Sequence, residues 1–317
     1  MTGSLHTLLD QSLDYAGLFP PASLPMAQAT ATFLQERQGT ASMLIGRFVC
    51  PVSRLGELAQ VAPTGPKPLR IAAILRGGKT AGECLANLEA DLATLAGFPG
   101  IAPGCCSAET LELKLPPDAL AGSGLRKLMA AIVALLVRQP GMARQVFLEV
   151  APSTALADQL AQIAESAEAL RSTTAMVLGY KLRTGGSDAA SVPTIPLVAA
   201  ALSTASLHRL PMKCTGGLHH PLRGKNGGAD HSMHGFINLL AAAALAHNRS
   251  APVEELESVL AGEEAEHFTF GRAKLSWGNH SLDVAELEAA RNQLLVSFGS
   301  CFTDIPKAEL RRLGWLK

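Results

Sequence analysis

Short apolar segments alternate with longer segments of helical periodicity along most of the chain. Helical periodicity covers residues 54–61, 80–96, 119–138, 153–169 and 192–207, and the apolar segments are residues 13–19, 43–50, 69–75, 110–115, 145–151, 175–183 and 210–215. A regular alternation of strand and helix is typical of parallel strands joined by right-handed crossovers. The pattern therefore predicts an α/β fold with these strands in one parallel sheet.

An eighth strand would close this sheet into a (β/α)8 barrel, the TIM-barrel fold, and residues 268–277 are the candidate. We predict a barrel core over residues 1–250. Residues 251–317 form a C-terminal elaboration of the same domain that could contain the eighth strand, with a helix in 251–268 that ends at Gly262 and another over 282–300. An open doubly wound sheet would favour a glycine-rich loop after the first strand, and DYAGLFPPA is not such a loop.

Several predicted strands are apolar on one face and charged on the other. Their charged faces carry Glu112, Lys114, Glu149, Lys181, Arg183 and Lys213. In a barrel these faces converge on the interior near the carboxyl ends of the strands, where charges must pair or serve chemistry. A structural salt-bridge network is one interpretation. The alternative is a binding site for an anion, which the excess of positive charges favours.

Two of these lysines begin similar motifs, Lys181-Leu-Arg-Thr-Gly and Lys213-Cys-Thr-Gly-Gly. The ordered pair resembles the deoxyribose-phosphate aldolases, barrel enzymes with Lys-x-x-Thr-Gly on strand six and Lys-x-x-Gly-Gly on strand seven. The segment LDYAGLFPPAS is similar to the first strand of that family, and VFLEVA is similar to its fifth. The resemblance extends from about residue 13 to residue 220.

The resemblance implies a Schiff-base aldolase or lyase in which Lys181 forms the imine and Lys213 lowers its pKa. An amine attacks a carbonyl only when it is neutral, and a second cation about 6 Å away costs roughly 3 kcal/mol at an effective dielectric of about 20. That cost equals about two pKa units. Glu149, Glu112 or a loop histidine would move the proton, because strand four lacks the aspartate of the family.

A small anionic carbonyl compound is the expected substrate. The predicted binding residues are Arg183, Thr184, Gly185, Gly216, Gly217, His219, His220, Asp14 and Arg47. Asp14 could instead cap a turn, and Arg47 could pair with Glu112 or Glu149. The small and hydroxyl residues with which the eighth strand of the family holds phosphate are not found after residue 220, so phosphate and carboxylate both stay open.

Four histidines, His219, His220, His231 and His234, follow the second motif closely. His219 or His220 could be a general acid or base. Alternatively, the four could bind a divalent metal such as zinc together with Asp230 or Glu149, in a metal-dependent hydrolase or lyase. They could also be ordinary solvated histidines. A further alternative is a barrel that binds an anionic metabolite without turnover.

The amino-acid composition limits the classes of binding partner that are expected. Lysines and arginines balance aspartates and glutamates at 27 each, so neither nucleic acid nor a membrane surface is expected as a partner. The six cysteines form no CxxC pair, and no basic segment followed by an apolar one opens the chain. We therefore expect a cytoplasmic protein with reduced cysteines, without a cofactor unless the metal interpretation holds, and able to form a homo-oligomer.

Overall fold

The computed structural model describes residues 3–120, 123–139, 142–150, 153, 155–186, 188–225, 231–249 and 251–316. Its strands in chain order are β1 (Leu13–Tyr15), β2 (Ile45–Pro51), β3 (Leu69–Ile74), β4 (Cys106–Lys114), β5 (Gln145–Glu149), β6 (Val177–Arg183), β7 (Met212–Thr215), β8 (Phe268–Phe270), β9 (Lys274–Trp277), β10 (His280–Asp283) and β11 (Leu295–Ser300). Eight of them close a parallel barrel in the order β1-β11-β7-β6-β5-β4-β3-β2. The predicted (β/α)8 fold is confirmed.

Helices alternate with the barrel strands. They are α1 (Gly3–Leu9), α2 (Met26–Glu36), α3 (Leu55–Val61), α4 (Ala81–Ile101), α5 (Gly124–Val137), α6 (Leu156–Arg171), α7 (Ile195–Leu207), α8 (Phe236–Arg249), α9 (Val253–Ala261), α10 (Val284–Gln293) and α11 (Asp304–Arg312). Side-chain caps define some helix starts. The Thr80 hydroxyl accepts a hydrogen bond from the Glu83 N–H at the start of α4, and Asp283 and Glu286 form a capping box at the start of α10.

The chain divides into two compact units. The central unit comprises Ala16–Gln35 and Arg47–Lys181, and the terminal unit comprises Met1–Tyr15, Glu36–Gly46 and Leu182–Lys317. The central core is built from apolar strand and helix residues such as Leu113, Leu148 and Ile132, each of which is at most 1 % exposed. In the terminal unit the rings of Phe236 and Phe298 stack with centroids 4.8 Å apart. Both cores exclude water from one face of each strand, as the apolar pattern predicts.

The closing strand of the barrel is β11, so the candidate at residues 268–277 was wrong. Residues 268–277 belong to a separate antiparallel sheet with the order β10-β9-β8. The helix predicted over 282–300 is also wrong beyond Gln293, where α10 ends and β11 begins. The sequence LLVSFGS is a short apolar run, and periodicity alone does not separate a buried parallel strand from a buried helical segment.

One described helical stretch, Ala189–Leu207, is long and apolar enough to cross a membrane by length and composition alone. Helices in the core of soluble proteins pass the same criterion. Within this stretch Val198, Ala199 and Leu202 are fully buried in the protein.

Candidate functional site

Three charged side chains of the central unit meet around the ammonium group of Lys181. The Lys181 Nζ lies 2.9 Å from Glu112 Oε2 and 2.9 Å from Glu149 Oε2. Lys181 is 8 % exposed, Glu149 7 % and Glu112 2 %. We call these three residues the Lys181 cluster. One cation between two carboxylates leaves the three groups with one net negative charge.

The strands position this cluster through their alternation and register. Lys181 on β6 is directly opposite Glu149 on β5, and Glu149 is the last residue of its strand. Lys114, which follows Glu112 by two positions and is opposite Glu149, is exposed at the end of β4. Residues two apart share a face of a strand. The cluster therefore lies towards the carboxyl ends of the strands, where barrel enzymes carry their active sites.

The carboxylates decide the protonation state of Lys181. Burial by itself lowers the pKa of the Lys181 amine, but the negative charges and hydrogen bonds of Glu112 and Glu149 outweigh it and leave the pKa above its ordinary value. Lys181 is therefore an ammonium in the resting protein. The predicted depression of its pKa is wrong for this state, because the prediction considered Lys213 and not the two carboxylates.

Lys213 lies in a second cluster, within the terminal unit. Its Nζ is 2.6 Å from Asp14 Oδ2, which also accepts a 2.8 Å hydrogen bond from the Ser297 hydroxyl. Lys213 and Ser297 are 1 % exposed and Asp14 is fully buried. We call these three the Lys213 cluster. Asp14, which was predicted to bind substrate or cap a turn, is the counter-ion of Lys213.

The glycine turns after β6 and β7 interlock within the terminal unit. The Thr184 hydroxyl donates to the carbonyls of Thr215 and Gly216, at 3.1 and 2.9 Å, and Thr184 is fully buried. Gly216 has a φ of 88°, and a Cβ there would lie 2.5 Å from the Gly185 carbonyl oxygen. Position 216 therefore needs glycine.

Met233 covers the second glycine of this turn. A Cβ at Gly217, whose φ is 73°, would lie 2.1 Å from the Met233 methyl. The predicted binding residues Thr184, Gly185, Gly216 and Gly217 thus lie together, and Thr184 holds the turns to each other.

His219 has a defined tautomer. The Ser300 hydroxyl donates its proton to the Phe302 carbonyl at 2.8 Å, so it can only accept from His219 Nδ1, which lies 2.9 Å away. Nδ1 therefore carries the hydrogen and Nε2 the lone pair. Burial, and then the neighbouring His220, lowers the His219 pKa to about 4. The His219 imidazole is thus neutral near neutral pH. Its Nδ1–H is occupied by Ser300, and its Nε2 can only accept a hydrogen bond.

The other three histidines of the segment have separate partners. His220 Nδ1 is 2.8 Å from Glu309 Oε1, and His234 Nε2 donates to the Pro193 carbonyl at 2.7 Å. The His231 Nε2 atom is buried and has no hydrogen-bond partner among the described residues. In the described part of the chain, no group of three or more His, Cys, Asp or Glu side chains could hold a metal ion. Asp230, the remaining predicted ligand, lies outside the described residues.

The two predicted arginines have different surroundings. Arg47 Nε is 3.2 Å from Glu109 Oε2, and Arg70 pairs with the same carboxylate at 2.7 Å. Arg47 thus pairs with Glu109, towards the amino end of β4. Arg183, the last residue of β6, is exposed.

Sequence reasoning missed the polar residues of the eighth strand. Ser297 and Ser300 lie on β11, each bonded to a predicted site residue, Asp14 and His219. With Gly299 they give the strand the small and hydroxyl residues that the sequence analysis did not find after residue 220. The alternation Ser-x-Gly in SFGS could have indicated a strand with small polar residues on one face. It was overlooked because a helix was predicted over these residues.

A scan against protein-family models finds no match to this chain, and a search of curated proteins finds none either. The likeness to deoxyribose-phosphate aldolases therefore rests on the two lysine motifs, their order, and the segments LDYAGLFPPAS and VFLEVA. The class that the fold defines is the TIM barrel.

Proposed function

We propose that the protein is a lysine-dependent carbon–carbon lyase, an aldolase, that forms a Schiff base between Lys181 and a small anionic carbonyl compound. The observation that carries this proposal is the Lys181 cluster. A nearly buried amine has two carboxylates within 2.9 Å, which is enough to accept and return protons during imine chemistry.

The resting ammonium must first lose a proton. One carboxylate of the cluster accepts it, which gives a neutral amine beside a neutral carboxylic acid. The amine then attacks the substrate carbonyl carbon, and one proton passes from the attacking nitrogen to the carbonyl oxygen, which gives a neutral carbinolamine. The carboxylic acid donates to the departing hydroxyl group, water leaves, and a cationic imine is formed. The remaining carboxylate stabilises that cation.

The second carboxylate serves bond cleavage. It removes the proton from the hydroxyl group on the β-carbon of the imine, the bond between the α- and β-carbons breaks, and its electron pair forms an enamine. The aldehyde product leaves, and the enamine is protonated at the α-carbon. Hydrolysis of the resulting imine releases the second product and restores the amine. No outside oxidant or reductant is needed.

An anionic substrate is supported by Lys114. This lysine is exposed at the end of β4, two residues beyond Glu112 and in register with Glu149. An ammonium there offsets the net negative charge of the cluster and attracts a carboxylate or phosphate group.

A second candidate is a barrel that binds an anionic metabolite without turnover. The raised pKa of Lys181 keeps its amine protonated and paired with Glu112 and Glu149 at rest, and a protonated amine is not a nucleophile. Both functions predict ligand binding, and only the first predicts a covalent adduct.

The test is intact-mass spectrometry after borohydride reduction in the presence of small aldehydes and keto acids. An adduct that maps to Lys181 and disappears in Lys181→Arg is expected, because arginine keeps the positive charge between the two glutamates but does not form the imine. Lys114→Arg is the matched control and should retain the adduct. An adduct that persists in Lys181→Arg, or none with any carbonyl compound, would overturn the proposal.

A further inference from the structure

A large cavity lies in the terminal unit beside the small antiparallel sheet. Its volume is about 910 Å³, and its walls include Phe268, Phe270, Arg272 and Trp315. The cavity is open to solvent on one side, so a ligand can reach it from the surface. The proposed lyase chemistry uses none of these residues.

The strand β8 that lines the cavity is an edge strand. In the sheet order β10-β9-β8 it has a neighbour on one side only. The Gly271 N–H donates to the Lys274 carbonyl at 2.8 Å, and Phe270 is the next residue in the register, opposite Leu275. Because hydrogen-bonded and non-hydrogen-bonded pairs alternate in an antiparallel ladder, the Phe270 N–H and C=O point away from β9.

These outward groups are available for pairing. The Phe268 N–H is used by the preceding turn, where it donates to the Ala265 carbonyl. Outside the β8–β9 ladder, no described residue bonds to the N–H or the C=O of Phe270. An unpaired edge of this kind is a template for another extended chain.

The side walls fit an extended peptide with apolar side chains and charged ends. The Trp315 ring meets the Phe270 ring edge to face, with centroids 5.0 Å apart, and both rings are partly exposed. Glu266 precedes β8 and Arg272 follows it, and both are exposed. Neither side chain has a hydrogen bond or ion pair within the described ranges. The two ends of the edge therefore carry opposite, uncompensated charges.

We propose that β8 binds an extended peptide segment of a partner protein by strand addition, with apolar side chains against Phe270 and Trp315. In the antiparallel arrangement, an acidic residue at the start of the segment lies near Arg272 and a basic residue at its end lies near Glu266. Main-chain hydrogen bonds to Phe270 supply affinity, and the aromatic wall and the charges supply selectivity. This inference is independent of the proposed lyase activity.

The ligand side is tested with the capped peptide Glu-Val-Thr-Val-Lys. The chain has two tryptophans, so Trp277→Phe leaves Trp315 as the fluorescent reporter in the cavity wall. We expect saturable binding that weakens at least about tenfold when the amides of one alternating set of residues are N-methylated, and little change for the other set. No binding at millimolar peptide, or equal affinity of all peptides, would overturn strand addition.

The protein side is tested by comparing Phe270→Pro with Phe270→Ala. Both variants lose the ring, but only proline loses the outward N–H, and an edge strand tolerates proline at such a position. Binding should be weakened in the alanine variant and abolished in the proline variant, with both melting cooperatively. Equal binding by the two variants would overturn the proposal. Arg272→Gln should weaken binding severalfold, whereas Arg312→Gln, outside the cavity wall, should not.

Discussion

Lys181 and Lys213 are both inward lysines on barrel strands, yet their surroundings differ in charge and in access. Lys181 is 8 % exposed and lies between two carboxylates. Lys213 is 1 % exposed and pairs with Asp14, which Ser297 also holds. The first set of groups sums to one negative charge and the second to zero.

Under the proposed function, this difference assigns Lys181 to the chemistry and Lys213 to the support of the fold. In the Lys181 cluster one carboxylate can take the ammonium proton while the other keeps its charge, and ligand can approach from the exposed side. In the Lys213 cluster the charges balance and water is excluded. Proton transfer from Lys213 to Asp14 would leave no second carboxylate to stabilise a cationic imine. The motif pattern treats the two lysines alike, whereas their counter-ions distinguish them.

The largest expected effect is on stability, from Lys213→Met. The substitution leaves the fully buried Asp14 carboxylate without its cation, and removing one partner of a buried ion pair typically costs about 3–5 kcal/mol. Urea unfolding at neutral pH measures this loss. The double variant Lys213→Met/Asp14→Asn should lose less than the single one. A loss below about 1 kcal/mol in the single variant would mean that the Lys213 cluster is not a structural pair.

Lys181→Met should be less destabilising and more dependent on pH. Glu112 and Glu149 are then left facing each other and share a proton, so the pKa of one carboxyl rises above its unfolded value of about 4.3. A raised pKa stabilises the fold at low pH, and that contribution is lost as pH rises through the folded value.

The variant should therefore lie closer to the wild type in unfolding free energy at pH 5 than at pH 8. The reference is Lys181→Met/Glu149→Gln, which has no second carboxylate and should lose this pH dependence. A pH-independent difference between wild type and Lys181→Met would contradict the shared proton.

The sequence was sufficient for the barrel and for the strands that carry the lysines. Strand alternation places Glu112, Glu149 and Lys181 on one face, and register then brings them together. It was not sufficient for the last strand, because LLVSFGS is short and mostly buried and has no Gly or Pro between it and the helical segment before it. Losing that strand also hid Ser297 and Ser300.

The spacing of residues in the sequence also could not predict which distant side chains form ion pairs. Asp14 and Lys213 are 199 positions apart, and Glu109 pairs with Arg47. Glu109 and Glu112 are three positions apart on β4, and the register of β4 against β3 shifts at Glu109, between Ala108 and Thr110. An irregularity of this kind changes which way a side chain faces, and residue patterns that assume regular alternation do not reveal it.

Gly46→Ala tests how tightly the Lys213 cluster is enclosed. A Cβ at position 46 would lie 2.6 Å from Asp14 Oδ1 and 2.8 Å from the Gln11 carbonyl oxygen. Crowding of a buried site of this kind costs about 1–3 kcal/mol. Gly56→Ala, in α3 with nothing within 4 Å, is the matched control and should stabilise by about 0.5–1 kcal/mol. Equal melting temperatures of the two variants would show that Asp14 can move.

The smallest effect concerns His219, whose lowered pKa has a defined sign. With a folded pKa of about 4 the imidazole stays neutral in the fold, while the unfolded chain binds a proton below about pH 6.5. Stability should therefore fall on acidification through this window, by roughly 1 kcal/mol at pH 5 after allowance for the partial exposure of the ring. His219→Asn should lack this component, so the pH dependence of the difference in unfolding free energy isolates it.

Nitrogen-15 NMR provides a direct check, because Ser300 requires the hydrogen on Nδ1. A midpoint near pH 6.5, or a hydrogen on Nε2, would contradict the lowered pKa and the assigned tautomer. His219 would then again be a candidate proton shuttle in addition to the carboxylates of the Lys181 cluster.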